Sequence, residues 1–164
     1  SDAGRQNYRF RHDKIQQAAH ELIDRKERAR VHVLLGSALL ENFDQKSQGQ
    51  IFDIADHLSY ADFESCNEEF LGQITGAFAE AGDQAQKAGA HEPAQRYFQR
   101  AFECLALLPW ENQKDTGYKI YCGLARSYHN LGLYDKGVEL LEQLVDKVAD
   151  PLRKASGLEI IGSM

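Results

Sequence analysis

Histidine is the residue type in this chain best suited to chemistry, and there are six: His12, His20, His32, His57, His91 and His129. A zinc hydrolase helix needs two of them one turn apart and a third ligand nearby, and no pair has that spacing. Asp53 and His57 stand at i, i+4 and share a helix face, but two ligands fall short of a metal site. Glu68 and Glu69 are adjacent, so on a helix they point apart and make a poor acid–base pair. Neither glycine-rich phosphate loop occurs, and no serine has a nucleophile-elbow context. Cys66, Cys104 and Cys122 are odd in number and widely spaced, as incidental thiols in a reducing compartment would be. Cys104 and Cys122 fall on apolar helix faces, where a thiol is hard to ionise and inert. The chain therefore reads as non-catalytic, with no metal and no cofactor of its own.

The totals narrow the class further. A hydrophobic content of 43% can build a core, while 27% charged residues and three prolines describe a soluble helical chain. No apolar run is long enough for a membrane span, and no amino-terminal signal is seen, which leads to the expectation of a cytoplasmic protein without a membrane partner. The net charge of −6 argues against nucleic acid as the main partner. The first thirty residues are different, with Arg5, Arg9, Arg11, Lys14, Arg25, Lys26, Arg28 and Arg30 against fewer acids. That basic excess supports an alternative reading, a nucleic-acid-binding regulator using the amino-terminal segment.

The elements that must carry these residues follow from apolar spacing. YRFRH, Tyr8 to His12, alternates like a short strand. Asp13 is a candidate cap for a helix with Ile15, Ala18, Ala19, Leu22 and Ile23 on one face. Asp24 caps a second helix expected to bury Val31, Leu34, Leu35, Ala38 and Leu39, and to end near Phe43. A polar loop over 44–50 leads to a short helix with Ile51, Ile54, Ala55 and Leu58 inside. A long helix from about Glu68 is expected to bury Phe70, Ile74, Ala77, Phe78, Ala81, Ala85 and Ala88 and to stop at Gly89. Its partner starts near His91, tolerates Pro93 in its first turn and presents Ala94, Tyr97, Phe98, Ala101, Phe102 and Leu105. After Pro109, Trp110 and a connector over 111–115, a helix presenting Ile120, Tyr121, Leu124, Ala125, Tyr128 and Leu131 stops at Gly132. Its partner presents Val138, Leu141, Leu144, Val145 and Val148, and Asp150-Pro151 opens a last helix.

Two of these units repeat. Phe78 to Ala101 aligns with Tyr121 to Leu144 at an offset of 43 residues. Gly82 matches Ala125, Gly89 matches Gly132, Ala94 matches Gly137 and Phe98 matches Leu141. An aromatic, a small pair, a glycine turn, a small residue and a large apolar residue is the layout of a tetratricopeptide-like hairpin. The fold class expected is all-α, a right-handed superhelix of antiparallel helix pairs. The standard unit is about 34 residues, so the helices or linkers here are longer or looser. The aromatics Tyr97, Phe98, Tyr118, Tyr121 and Tyr128 read as packing between helices, and Trp110 as an anchor for the connector.

The stretch YRFRHDKIQQAAHELID, Tyr8 to Asp24, resembles the end of the ATPase module in large signalling kinases. These are the multidomain serine/threonine kinase/ATPase/sensor histidine kinases of bacteria and the hybrid histidine kinases of fungi. Phe10, His12, Asp13, Gln16 or Gln17, Ala18 and Ala19 match the phrase that closes a winged-helix subdomain there. ERARVHVLLGSALLENF, IFDIADHL and the Tyr97, Ala101 and Trp110 steps continue the similarity more loosely. The resemblance implies a nucleotide switch of the STAND class carrying sensor repeats. It implies that His12 and Asp13 face the nucleotide phosphate in the parent, with ATP or ADP and Mg bound there. The P-loop and the acidic metal-binding residue are absent from this stretch.

The chain is thus expected to divide into the end of a winged-helix-like segment (1–24), linking helices (25–66) and helical repeats (67–164), as a fragment of a larger protein. The expected function is a non-catalytic interaction or sensor module that binds a protein, a peptide or a small inducer and biases the attached switch. Helix phase selects Gln84, Lys87, Lys119, Arg126 and His129 as the binding surface. Exposed repeat ends could also pair in a homodimer.

Overall fold

Asp24 opens the described chain as the sequence expects, its carboxylate accepting from the Lys26 amide at 3.3 Å. The computed structural model describes residues 24–43 and 49–148. The strand expected at Tyr8 to His12, the helix after Asp13, the pair His12 and Asp13, most of the 44–50 loop and the helix after Asp150 lie outside the described residues. Among the described residues six helices follow in order: α1 (Arg25–Glu41), α2 (Gln50–Leu58), α3 (Glu68–Lys87), α4 (His91–Leu105), α5 (Lys114–Asn130) and α6 (Tyr134–Lys147). Short 3-10 turns at Phe63–Ser65 and Trp110–Asn112 join them, and no strand occurs among the described residues. Each helix packs on the next, and α3 also packs on α5.

The helix ends have local causes. Asn67 caps α3 by accepting from the Phe70 amide at 2.8 Å. Gly89 and Gly132 both adopt φ +74°, the left-handed conformation that a side chain resists. After the first, the Ala90 amide donates to the Ala85 carbonyl at 2.9 Å; after the second, the Leu133 amide donates to the Tyr128 carbonyl at 2.8 Å. The same six-to-one cap therefore closes α3 and α5.

The core runs from Ile51, Ile54 and Leu58 on α2 through α3 and α4 to Leu141 and Leu144 on α6. Close approach is bought by missing side chains at a few points. Phe98, buried on α4, lies against both Gly82 of α3 and Gly123 of α5. Trp110 lies against Gly117 and meets Tyr121 edge-on at 6.1 Å, with the Lys147 ammonium 5.8 Å from its ring. It anchors the connector to the second hairpin.

Two expectations about burial are corrected. On α1, Val31, Leu34 and Leu35 are exposed, Leu34 at 69%, and Ala38 is exposed as well. The face of α1 set on α2 centres instead on Gly36, pressed against Leu58, and on His32. On α3, Phe70 is half-buried and Ala88 exposed, while Leu71, Thr75, Ala79 and Gly82 are buried. The reason is that α3 touches α2, α4 and α5, so one stripe cannot describe its buried surface. Thr75 is tolerated there because its hydroxyl donates to the Leu71 carbonyl at 2.7 Å.

Candidate functional site

The five surface residues chosen by phase share two helices but not one role. Lys119 of α5 reaches across to Glu80 of α3 at 3.0 Å and to Asp83 at 3.8 Å. Lys87 pairs with Asp83 at 2.7 Å, and the Gln84 amide donates to Glu80 at 3.2 Å. Gln84, Lys87 and Lys119 therefore belong to one charge cluster that ties α3 to α5. Arg126 is exposed one helical turn before Asn130, and His129 meets Tyr134 edge-on at 5.1 Å.

Beyond that cluster the same stripe of α3 continues towards its amino terminus and becomes one wall of a groove of about 670 Å³. Phe70, Gln73, Gly76, Ala77 and Glu80 line it from α3. Ser37, Leu40 and Glu41 face them from α1, with Phe43 just beyond that helix. Ile51 of α2 and Ala77 are buried and form the floor, while Glu41 and Gln73 are exposed at the rim. Gly76 leaves a bare strip of helix, with no atom within 4 Å of where its Cβ would stand. Glu41 and Glu80 are the ionisable groups among the described lining residues.

A second groove, of about 390 Å³ between α2 and α4, is spent on internal contacts. There the Tyr97 hydroxyl donates to Asp56 at 2.9 Å and Arg100 donates to the Ser59 carbonyl at 2.8 Å. Burial and the Asp56 contact push the Tyr97 phenol up to about 12, so it stays a donor across ordinary pH. Arg100 also stacks over Phe63 at 4.7 Å.

The chemistry-bearing residues are placed as follows. His57 does not pair with Asp53; its Nδ1 lies 2.7 Å from Nδ1 of His32, and the His32 ring stacks on Tyr60 at 4.2 Å. One nitrogen must donate and the other accept, and the contact joins α1 to α2. Glu68 accepts from the Asn112 side chain at 3.0 Å. Among the described residues no group of three or more His, Cys, Asp or Glu could hold a metal ion. Burial pushes the Cys104 thiol up to about 12 and raises Cys122 as well. No helix among the described residues is long and apolar enough to cross a membrane.

Comparison with protein-family models, curated proteins and solved structures finds no match to this chain. The resemblance over Tyr8 to Asp24 stands on its residues alone, and all of these but Asp24 lie outside the described ones. So do Arg9, Arg11 and Lys14, on which the nucleic-acid reading depends.

The groove was not read from the sequence. It needs α1 beside α3, with α2 beneath, and no local pattern reports that neighbourhood. Its one local signal is Gly76, a glycine inside a long helix with no turn to make.

Proposed function

We propose that this chain is a non-catalytic helical-repeat interaction module that binds a protein or peptide on the α1–α3 face. The observation that carries the reading is the groove: a buried apolar floor, half-buried apolar walls and a polar rim, on the same side as the charge cluster chosen by helix phase. Stacking of the hairpins as a right-handed tetratricopeptide-like superhelix is supported by the repeated glycine cap and by the packing of α3 on α5. In this reading the module is a cytoplasmic sensor arm of a signalling ATPase or kinase. Occupancy of the groove biases the attached nucleotide switch, whose ATP and Mg sit in the parent. That last part rests on the resemblance of Tyr8 to Asp24.

The test is selection from a random displayed-peptide library on the whole chain and on Gly76→Leu, which fills the groove. Peptides enriched on the unaltered chain and lost on Gly76→Leu are expected. Equal recovery on both, or no enrichment on either, removes the interaction reading. Purified chain is expected to leave ATP intact.

A further inference from the structure

We infer that the groove takes a peptide segment carrying a large apolar side chain beside lysine or arginine. This rests on the interaction reading above and names its partner. The lining stripe of α3 from Phe70 to Glu80 covers ten helical rises, about 15 Å, the reach of four or five extended residues. That length suits a chain segment. The backbone at Gly76 is bare, with no atom within 4 Å of where its Cβ would stand, so a Leu- or Phe-sized side chain can seat over it beside the apolar lining residues Leu40, Phe43 and Phe70. The ionisable groups among the described lining residues are both carboxylates. Glu41 is exposed and enters no ion pair among the described residues, and Glu80 shares Lys119 with Asp83. Carboxylates flanking an apolar slot favour a cationic neighbour for the buried side chain and repel phosphate or an acidic peptide. The overall charge of −6 acts in the same direction during approach.

Three fluorescent dodecapeptides test this by anisotropy at low and physiological salt. One has a central Phe-Leu pair flanked by lysines, one has glutamates in place of the lysines, and one has alanines in place of the Phe-Leu pair. The first is expected to bind at least tenfold more tightly than either of the others, and to weaken as salt rises. Gly76→Leu is expected to abolish binding while keeping the helical signal and melting temperature, because its side chain enters open space. Glu41→Lys, at an exposed position, is expected to weaken the lysine peptide at least threefold and to improve the glutamate one. Binding of the glutamate peptide equal to that of the lysine peptide overturns the inference, as does binding that survives both substitutions. If none of the three binds while library selection yields other groove-dependent peptides, the partner chemistry is wrong and the interaction reading stands. If both experiments are blank, both fall.

Discussion

The ring of Phe98 on α4 occupies the space that a side chain on Gly123 of α5 would need. A Cβ on Gly123 would come within 2.5 Å of Cε1 and 2.7 Å of Cε2, and one on Gly82 within 2.9 Å of the same ring. Phe98 is 1% exposed, so the ring has nowhere to retreat. One aromatic thereby sets the approach of three helices.

This gives two glycine substitutions of opposite sign. Gly123→Ala is expected to destabilise the fold by about 1–3 kcal/mol through overpacking, although alanine is the better helix former. Gly76→Ala, in open space on α3, is expected to stabilise it by about 0.5–1 kcal/mol. Urea unfolding followed by circular dichroism measures both. Pairing Gly123→Ala with Phe98→Leu should recover part of the loss, and strict additivity would show that the ring is not the obstacle.

The glycine caps make a second test. Gly89 and Gly132 have open space around them, so alanine there costs only the left-handed backbone. Each of Gly89→Ala and Gly132→Ala is expected to cost about 1–2 kcal/mol. Values near zero in urea melts would mean that the helix ends re-form without that cap.

Thiol labelling probes the core. Burial raises the Cys104 and Cys122 thiols, which lowers their thiolate fraction near pH 8 and adds to their steric protection. Cys66 is only half-buried and is raised by burial and by Asp62. Iodoacetamide on the native protein is expected to modify Cys66 first, and the other two only after denaturant is added. Mass spectrometry of the labelled peptides reads this directly, and fast native labelling of Cys104 would contradict a closed α3–α4 interface.

Tyr97 predicts an alkaline dependence. Its folded phenol is raised to about 12 from the ordinary 10, first by burial and then by the bond to Asp56. A raised folded value favours the protonated form, so its contribution is fully present below pH 10 and is lost as pH rises towards 12. Tyr97→Phe keeps the ring contact with Phe52 at 5.7 Å but loses the bond to Asp56. It is expected to cost about 1 kcal/mol at neutral pH and to flatten the loss of stability above pH 10. An unchanged alkaline limb would assign that limb to other tyrosines.

Local chemistry made much of this fold legible in the amino-acid order. Asp24, Gly89, His91 and Gly132 mark helix ends because capping and left-handed backbone involve only neighbours along the chain. The apolar spacing of α2 placed Ile51, Ile54, Ala55 and Leu58 inside, since that short helix buries a single stripe. What spacing could not supply is the number of neighbours a helix has. Three neighbours hide Thr75 and Gly82 on α3, whereas Val31 and Leu34 on α1 stay in water despite a core-like pattern. The binding face divides in the same way. Gln84 and Lys87 follow from the phase of α3 alone, but their pairing in one cluster with Lys119, and the groove beyond Glu80, exist only because α5 and α1 come to lie beside α3. Periodicity is a property of one helix; a groove is a property of the gap between several, and that gap is set by packing at Gly36, Gly82 and Gly123.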